Sequence, residues 1–319
     1  MGSVWHPFTQ MKTAPAPLKV RSAEGSRLYL TDGRVLIDAI SSWWVITHGH
    51  CHPPLMQAIR RQTEQLDQVI FAGFSHEPAE RLADQMVALT APHFQKVFFS
   101  DDGSTSVEVA LKMAIQAQHQ WGQTQRTQFV AFEAAYHGDT VGAMSVGGPG
   151  PFTDPYLPML FSVTRCKQGQ TSDDPLERWV GPFEQWMHEH GDQTVAVILE
   201  PLVQGAGGMI MWPVAAVRRI VEVARAHGAL VIFDEVMTGF GRTGSLFAYQ
   251  KVGVAPDLLC LSKGLTGGTL PLSLTLATQA IFDAFWHDEK ARMFFHGHSF
   301  TANPFGCAAA VANLSLLDQ

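Results

Sequence analysis

Short apolar segments alternate with amphipathic ones through much of this sequence, and this alternation restricts the possible folds more than any other feature. Five runs have the length and apolar character of buried strands, and a polar or charged residue lies near the end of each. Segments with helical periodicity separate them, including 107–120 and 214–227. The alternation predicts an α/β domain with a mainly parallel sheet, in which ligands bind beyond the carboxyl ends of the strands. The predicted strands are 96–100, 129–133, 195–201, 229–236 and 257–264.

The sequence before residue 96 has a different pattern. Two short alternating runs within 20–39 flank Asp32 and Gly33, a pair that is typical of a β-hairpin turn. The segment 41–54, SSWWVITHGHCHPP, has no clear period and is predicted to be a loop. Apolar residues then recur at helical spacing, which predicts two helices at 53–67 and 77–89.

Composition excludes several classes of protein. Charged residues make up 16% and apolar residues 46% of the chain, which indicates a well-buried globular protein and not a disordered one. The net charge of −7 and the lack of a Lys/Arg run argue against binding to nucleic acid or to an anionic membrane. No apolar run reaches the ~18 residues of a membrane span, and the start of the chain lacks the pattern of a signal peptide. The four cysteines form no CxxC pair, so no metal site is indicated and a reducing, cytoplasmic location is expected.

The end of the first predicted strand could bind a phosphate. Gly103 and Ser104 follow it at a predicted helix start, where free backbone N–H groups and the positive helix end favour an anion. The alternative is an ordinary serine N-cap beside a glycine turn, which this segment taken alone favours.

Three other strand ends carry side chains that suit a flat, charged ring. Asp234 ends an apolar strand, where a buried carboxylate needs a partner such as a pyridinium nitrogen. Lys263 ends another, where burial lowers the pKa of an amine, as in a Schiff-base lysine. Tyr136 follows a third and could stack on the ring. The alternatives are a structural role for Asp234, a Lys263 side chain that reaches to solvent, and core packing of Tyr136. A phosphorylated pyridine aldehyde, however, needs all four strand ends together.

A glycine cluster at Gly205, Gly207 and Gly208 superficially suggests a dinucleotide-binding loop. Its spacing is GxGG and not GxGxxG, so it is predicted to form a tight turn. A nicotinamide-dependent oxidoreductase is therefore disfavoured.

Longer motifs from about residue 96 to the end resemble the class III, fold-type I, pyridoxal-phosphate aminotransferases and occur in the order of that family. The motifs HPFTQM, SSWW and GFGRTGSLFA are similar to those of the members that act in biotin biosynthesis. The resemblance implies an α/β large domain with a mainly parallel seven-stranded sheet and an N-terminal part of a smaller α+β domain. The motifs of the family at large are GSTSVEVALKMA, YHGDTVGAMS, ILEPLVQGAGGM, LVIFDEVMTGFGRTG, APDLLCLSKGLTGG and HGHSFTANPFGCAAA.

The resemblance implies pyridoxal 5'-phosphate as the cofactor and gives several residues a role in binding it. Lys263 matches the catalytic lysine that holds the cofactor covalently, and Asp234 matches the partner of its ring nitrogen. Val236 and Tyr136 match the residues on the two faces of the ring, and Tyr136 also borders the substrate. The phosphate is expected at Gly103 and Ser104.

The resemblance further implies a homodimer with active sites at the subunit interface. Ser299 aligns with a phosphate-binding threonine that the family supplies from the partner subunit. Phe8, Trp43, Arg242 and Gly297 match positions that bind the substrate. Phe8 stands where the family usually has tyrosine, so a hydroxyl is missing from the expected pocket.

The function that the resemblance implies is a ping-pong transfer of an amino group to 8-amino-7-oxononanoate in biotin biosynthesis. The usual donor in the family is S-adenosylmethionine, and some members use lysine. The alternatives are another class III aminotransferase that acts on an ω-amino acid or a diamine, and an inactive remnant that binds the cofactor.

The resemblance also divides the chain into three parts. Residues 1–45 are expected to contribute to the small domain, 46–305 to form the cofactor-binding large domain, and 306–319 to begin a connection to a C-terminal small domain. Because the family continues beyond this point, the chain is expected to be an incomplete sequence or a truncated protein with an unfinished acceptor site. Residues 308–317 are apolar on most sides, so this last helix is expected to have no neighbour that covers it.

Overall fold

Strands and helices alternate along most of the chain in the structure, a computed structural model that describes residues 3–317. The strands are β1 (Val20–Glu24), β2 (Arg27–Leu30), β3 (Val35–Ile37), β4 (Lys96–Ser100), β5 (Gln128–Phe132), β6 (Val163–Cys166), β7 (Thr194–Leu199), β8 (Val203–Gln204), β9 (Ile210–Met211), β10 (Leu230–Asp234), β11 (Leu258–Leu261) and β12 (Ser273–Ala277). The helices are α1 (Ser41–Trp44), α2 (Pro53–Thr63), α3 (Glu77–Thr90), α4 (Gly103–Gln120), α5 (Val141–Val146), α6 (Leu176–His190), α7 (Val214–Ala226), α8 (Ala248–Val252), α9 (Gln279–Phe285) and α10 (Pro304–Leu317). Short 3₁₀-helices lie at Asp154–Met159, Lys263–Thr266 and Lys290–Arg292.

The central sheet has seven strands in the order β4-β12-β11-β10-β7-β5-β6. Strand β12 is antiparallel to both of its neighbours, and the other adjacent pairs are parallel. The predicted α/β class and the mainly parallel seven-stranded sheet are therefore confirmed. All five segments that the sequence predicts as strands belong to this sheet.

Helices cover both faces of the central sheet, which explains why its middle strands are apolar along most of their length. In β10, Val231 and Phe233 point into one core, with α6, α7 and α10. Leu230 and Ile232 point into the other, which contains the apolar residues of α4. A strand with a packed layer on each side has no face left for solvent, so it loses the polar alternation of a surface strand.

The N-terminal region forms a separate three-stranded antiparallel sheet of β1, β2 and β3. Strands β2 and β3 pair around the turn that contains Asp32 and Gly33, so the predicted hairpin is confirmed. Gly33 adopts a φ of +90°, and the Asp32 carboxylate accepts a hydrogen bond of 3.1 Å from the backbone N–H of Arg34. Strand β1 extends this hairpin by pairing with β2.

Helix α10 packs against α2 and α3, so the prediction that the last helix lacks a covering neighbour is wrong. Its buried residues occur on most sides, as expected for a helix enclosed by others. The helix begins at Pro304, and the expected division after residue 305 therefore falls inside it. Although α10 is strongly apolar, no helix within residues 3–317 is both long and apolar enough to cross a membrane.

Candidate active site

A cavity of about 910 Å³ opens at the carboxyl end of the central sheet. The segments that follow β4, β5, β7, β10 and β11 form its walls, because parallel strands bring their carboxyl ends to one edge. Eight of the eleven residues that the sequence predicts for the site line this cavity. They are Phe8, Trp43, Gly103, Ser104, Tyr136, Asp234, Val236 and Lys263.

The N-terminus of α4 forms one end of the cavity. Asp102 caps this helix by accepting a hydrogen bond of 3.0 Å from the backbone N–H of Thr105, whose hydroxyl accepts one in return from the N–H of Asp102. The backbone N–H groups of Gly103 and Ser104 belong to the first turn, where a helix offers no acceptor of its own. Together with the positive end of the helix, they suit a phosphate group.

Two glycines allow the chain to approach closely beside this helix start. A Cβ atom on Gly103 would lie 2.6 Å from Cγ1 of Val236, and a Cβ atom on Gly138 would overlap the Ser104 hydroxyl. That hydroxyl accepts a hydrogen bond of 2.9 Å from the backbone N–H of Asp139. The loop after β5 therefore packs directly on the first turn of α4 and encloses the space for an anion.

Asp234 lies at the end of β10, with 4% of its surface exposed. Its Oδ1 atom accepts a hydrogen bond of 3.0 Å from the backbone N–H of Val236, and its Oδ2 atom lies 2.7 Å from Nδ1 of His137. The buried Nε2 atom of His137 has no hydrogen-bond partner among the described residues. A buried carboxylate with one imidazole beside it can bind a cationic ring nitrogen in the cavity.

Sequence reasoning gave His137 no role, although the residue stands in the motif that contains Tyr136. A histidine in the segment that follows an apolar strand was the available signal. It becomes meaningful only when β5 and β10 are known to end at the same edge of the sheet, with β7 between them.

Lys263 follows β11 and begins a 3₁₀-helix with a φ of +45°, which is uncommon for a residue with a side chain. Its Nζ atom lies 5.2 Å from the ring centroid of Trp44. Burial lowers the pKa of this amine; Asp234 and Glu200 oppose that shift, and Arg242 adds to it. An amine with a lowered pKa is more often neutral and can act as a nucleophile or a base.

Glu200 is a second buried carboxylate in the wall of the cavity, with 5% of its surface exposed. Its two oxygens accept hydrogen bonds of 3.0 Å from the backbone N–H groups of Tyr136 and Gly205. Burial raises the pKa of Glu200 to about 7. Sequence reasoning missed this residue, although it follows β7 directly and Asp234 ends β10.

The glycine cluster after Glu200 forms the turn between β8 and β9, which pair with each other. The prediction of a tight turn is confirmed. Gly208 adopts a φ of +109°, and a Cβ atom on Gly207 would overlap the carbonyl oxygen of Ala134.

Three aromatic side chains stand together at the mouth of the cavity. The ring centroid of Phe8 lies 5.6 Å from that of Trp43 and 6.3 Å from that of Phe152, in both cases edge to face. All three side chains are more than half exposed. Phe152 was not predicted, because it lies in an irregular segment without a motif.

The segment predicted as a loop contains a helical turn of left-handed sense. All four residues of α1 have positive φ angles, between +47° and +65°. The backbone N–H of Val45 donates to the carbonyl of Ser41, and the carboxylate of Asp38 accepts bonds from the N–H and hydroxyl of Ser42. A left-handed turn of non-glycine residues costs about 1–2 kcal/mol per residue, so these contacts have to hold it in place.

Three predicted residues do not line the cavity. Arg242 is exposed and donates a hydrogen bond of 3.1 Å to the carbonyl oxygen of Trp44, one of the lining residues. Gly297 and Ser299 lie in an exposed loop before α10, where the carbonyl of Ser299 accepts a bond from Gln68. The structure therefore does not bring Gly297 or Ser299 to the cavity of their own chain.

The chain is similar to known aminotransferases over nearly its whole length. It is 53% identical to the adenosylmethionine-8-amino-7-oxononanoate aminotransferase of Synechococcus elongatus over 98% of the chain and 75% of that protein. It is 40% identical to the protein of the same name from Geobacter sulfurreducens, over 99% of the chain and 72% of the relative.

Solved structures show the same relationship. The chain superposes with a TM-score of 0.93 and 36% identity on the adenosylmethionine-8-amino-7-oxononanoate aminotransferase of Methanocaldococcus jannaschii, over 99% of the chain and 73% of that structure. An amine transaminase from an uncultivated Pseudomonas species, in its PLP-bound form, gives a TM-score of 0.94 at 33% identity over 100% of the chain and 75% of that structure. Residues 8–319 match the family Aminotransferase class-III. The chain therefore belongs to the class III aminotransferases.

Proposed function

We propose that this chain transfers an amino group from adenosylmethionine to 8-amino-7-oxononanoate, a step of biotin biosynthesis, with pyridoxal phosphate as its cofactor. The observation that carries the proposal is the convergence of Lys263, Asp234 and the N-terminus of α4 on one cavity. The names of the relatives support the substrates, since eight proteins at 36–53% identity are called adenosylmethionine-8-amino-7-oxononanoate aminotransferase.

The residues of the cavity fit the proposed cofactor. Bound pyridoxal phosphate would supply an aldehyde that exchanges amines and a ring that accepts electrons. The N–H groups of Gly103 and Ser104 would bind its phosphate, in the space that the loop after β5 encloses. Asp234 would hold a proton on the ring nitrogen, and Val236 and Tyr136 would pack against the two faces of the ring.

Lys263 would bind the cofactor covalently and would move the proton of the reaction. Once the donor amine has replaced it, the Nζ atom would take a proton from the donor carbon as general base and deliver it to the former aldehyde carbon of the cofactor as general acid. The lowered pKa of this amine favours the first role, because a neutral amine can accept the proton. The ring of Trp44, whose centroid lies 5.2 Å from this Nζ atom, would shield the amine from water.

A homodimer is part of this proposal. Gly297 and Ser299 lie outside the cavity of their own chain, on an exposed loop that also carries Phe295 and Phe300, each 59% exposed. We propose that this loop packs on a second copy, where the Ser299 hydroxyl reaches the phosphate. Sedimentation of the protein should then show a dimer, and a fully active monomer would contradict the arrangement.

The division of the chain at residues 45 and 305 stays a prediction.

The test of the function uses the purified protein with added pyridoxal phosphate. A visible absorbance band is expected, together with formation of 7,8-diaminononanoate from adenosylmethionine and 8-amino-7-oxononanoate. The Lys263→Ala variant should lose both, and full turnover in that variant would overturn the assignment. A higher kcat/KM with lysine than with adenosylmethionine would change only the donor, whereas a higher kcat/KM with an ω-amino acid or a diamine would place the chain in a different branch of the family.

A further inference from the structure

Asn313 is a buried polar residue in an otherwise apolar helix. It lies on α10 with 0% of its surface exposed, and the other residues that this helix buries are apolar, proline or glycine. A buried amide destabilises a protein unless hydrogen bonds satisfy it. The contacts of this side chain therefore indicate why an amide stands in an apolar helix.

The Asn313 amide binds the backbone directly after Lys263. Its Nδ2 atom donates to the carbonyl oxygens of Gly264, at 2.8 Å, and Leu265, at 3.0 Å. Its Oδ1 atom lies 2.9 Å from Nε2 of His48. Because the two carbonyls fix the nitrogen side of the amide, its oxygen faces His48, and Nε2 of that ring carries the hydrogen.

These bonds reach a segment that needs external support. Lys263 has a φ of +45°, and Gly267 ends the same short 3₁₀-helix with a φ of +63°. The other side-chain bonds to residues 262–272 that the structure describes come from within that segment, such as the one from Thr266 to the carbonyl of Leu270. A strained backbone conformation persists only where the surroundings enforce it. Other residues pack against this segment, but the side-chain hydrogen bonds that reach it from outside, among those described, come from a single amide on α10.

We propose that Asn313 is a positioning residue for Lys263. Through the carbonyls of Gly264 and Leu265 it fixes the turn from which the lysine extends, and His48 in turn fixes the amide. This inference rests on the proposed function, because it concerns the lysine that would move the proton.

The test compares two substitutions of Asn313 with a matched control. Asn313→Asp keeps the shape and replaces the donor with an oxygen that repels both carbonyls, and Asn313→Leu removes all three hydrogen bonds. Gln118→Leu is the control, since Gln118 is also buried and donates to two carbonyls, those of Val195 and Gly228. It lies about 22 Å along α4 from the helix start that faces the cavity.

Both Asn313 variants should lower kcat by roughly 100-fold with little change in KM, since misplacing a reacting group by about 1 Å has an effect of that size. A deuterium isotope effect at the donor carbon should increase, because proton transfer becomes slower. The pH midpoint of the visible absorbance of the cofactor-loaded protein should also shift. The Gln118→Leu protein should lose stability without these changes.

A measurement without cofactor separates this inference from the proposed function. In the apoprotein, the rate at which acetic anhydride labels Lys263, followed by mass spectrometry, should change in the Asn313 variants and not in the control. If the unsubstituted protein shows no visible band with pyridoxal phosphate, the proposed function fails while this labelling still decides the inference. Folded Asn313 variants with wild-type labelling, kcat and absorbance midpoint would overturn it. If neither variant folds, His48→Phe should give a smaller change in the same direction, and its absence would overturn the inference.

Discussion

Phe8 is a single residue on which substrate affinity should depend. Its ring lies edge to face with Trp43 and Phe152 at the mouth of the cavity, and it has no hydroxyl to offer a substrate. The Phe8→Tyr variant should bind the amine donor more tightly, because one added hydrogen bond contributes about 0.5–1.5 kcal/mol. The Michaelis constant for the donor should fall by roughly 2- to 10-fold with kcat nearly unchanged.

Phe152→Tyr is the matched control for this prediction, since it adds the same hydroxyl to the other side of the aromatic group. It should leave the donor KM closer to that of the unsubstituted protein. An unchanged or higher KM in the Phe8→Tyr protein would show that Phe8 does not face the donor.

At the scale of elements, Asp38 holds the left-handed turn α1 in place. Its carboxylate accepts bonds from the N–H and hydroxyl of Ser42, at 3.0 and 2.7 Å, and lies 2.8 Å from Nε2 of His50. Asp38→Ala should release the turn, because hydrogen bonds to a charged group contribute about 1.5–3 kcal/mol and the turn itself is strained. Since Trp43 and Trp44 line the cavity, KM should rise in steady-state assays.

Asp32→Ala is the control for Asp38→Ala, because Asp32 also stabilises a turn, through bonds to Arg34, and does not line the cavity. Both variants are expected to lose some thermal stability. If they give the same KM, the left-handed turn does not shape the substrate site.

The elements that could be predicted from the sequence are those whose pattern is local. β10 is a run of apolar residues that stops at Asp234, and this alone indicates a buried strand with a carboxylate at its end. The turn α1 could not be predicted, because four positive φ angles in SSWW result from contacts with Asp38 and not from glycine. β12 was missed as well, since Ser273 and Thr275 make it look polar although both are buried.

The residues of the candidate site divide in the same way, into those with a local sequence signal and those without one. Lys263 and Asp234 stand at strand ends, so their meeting could be predicted from a parallel sheet. His137 and Asn313 matter only through partners that are 97 and 48 to 49 residues away in sequence. No spacing rule identifies such pairs.

At the scale of the whole molecule, the buried carboxylates at the edge of the sheet should make folding depend on pH. Burial raises the pKa of Glu200 from 4.5 to about 7 and that of Glu235 from 4.5 to about 8 in the chain without cofactor. Both groups bind a proton more tightly in the folded state than in the unfolded state. Their contribution to stability is therefore complete below about pH 4.5 and is lost as the pH rises to about 7 or 8.

Glu200→Gln should remove one part of this dependence, because glutamine stays neutral at every pH. Between pH 4.5 and pH 8 the free energy of unfolding of the unsubstituted apoprotein should fall by about 3 kcal/mol more than that of the variant. Urea unfolding at the two pH values measures this difference. Glu184→Gln is the control, because it makes the same substitution at a partly exposed carboxylate that pairs with Arg219 outside the cavity. A Glu200→Gln protein that loses as much stability with rising pH as the unsubstituted one would mean that Glu200 is already ionised in the folded chain.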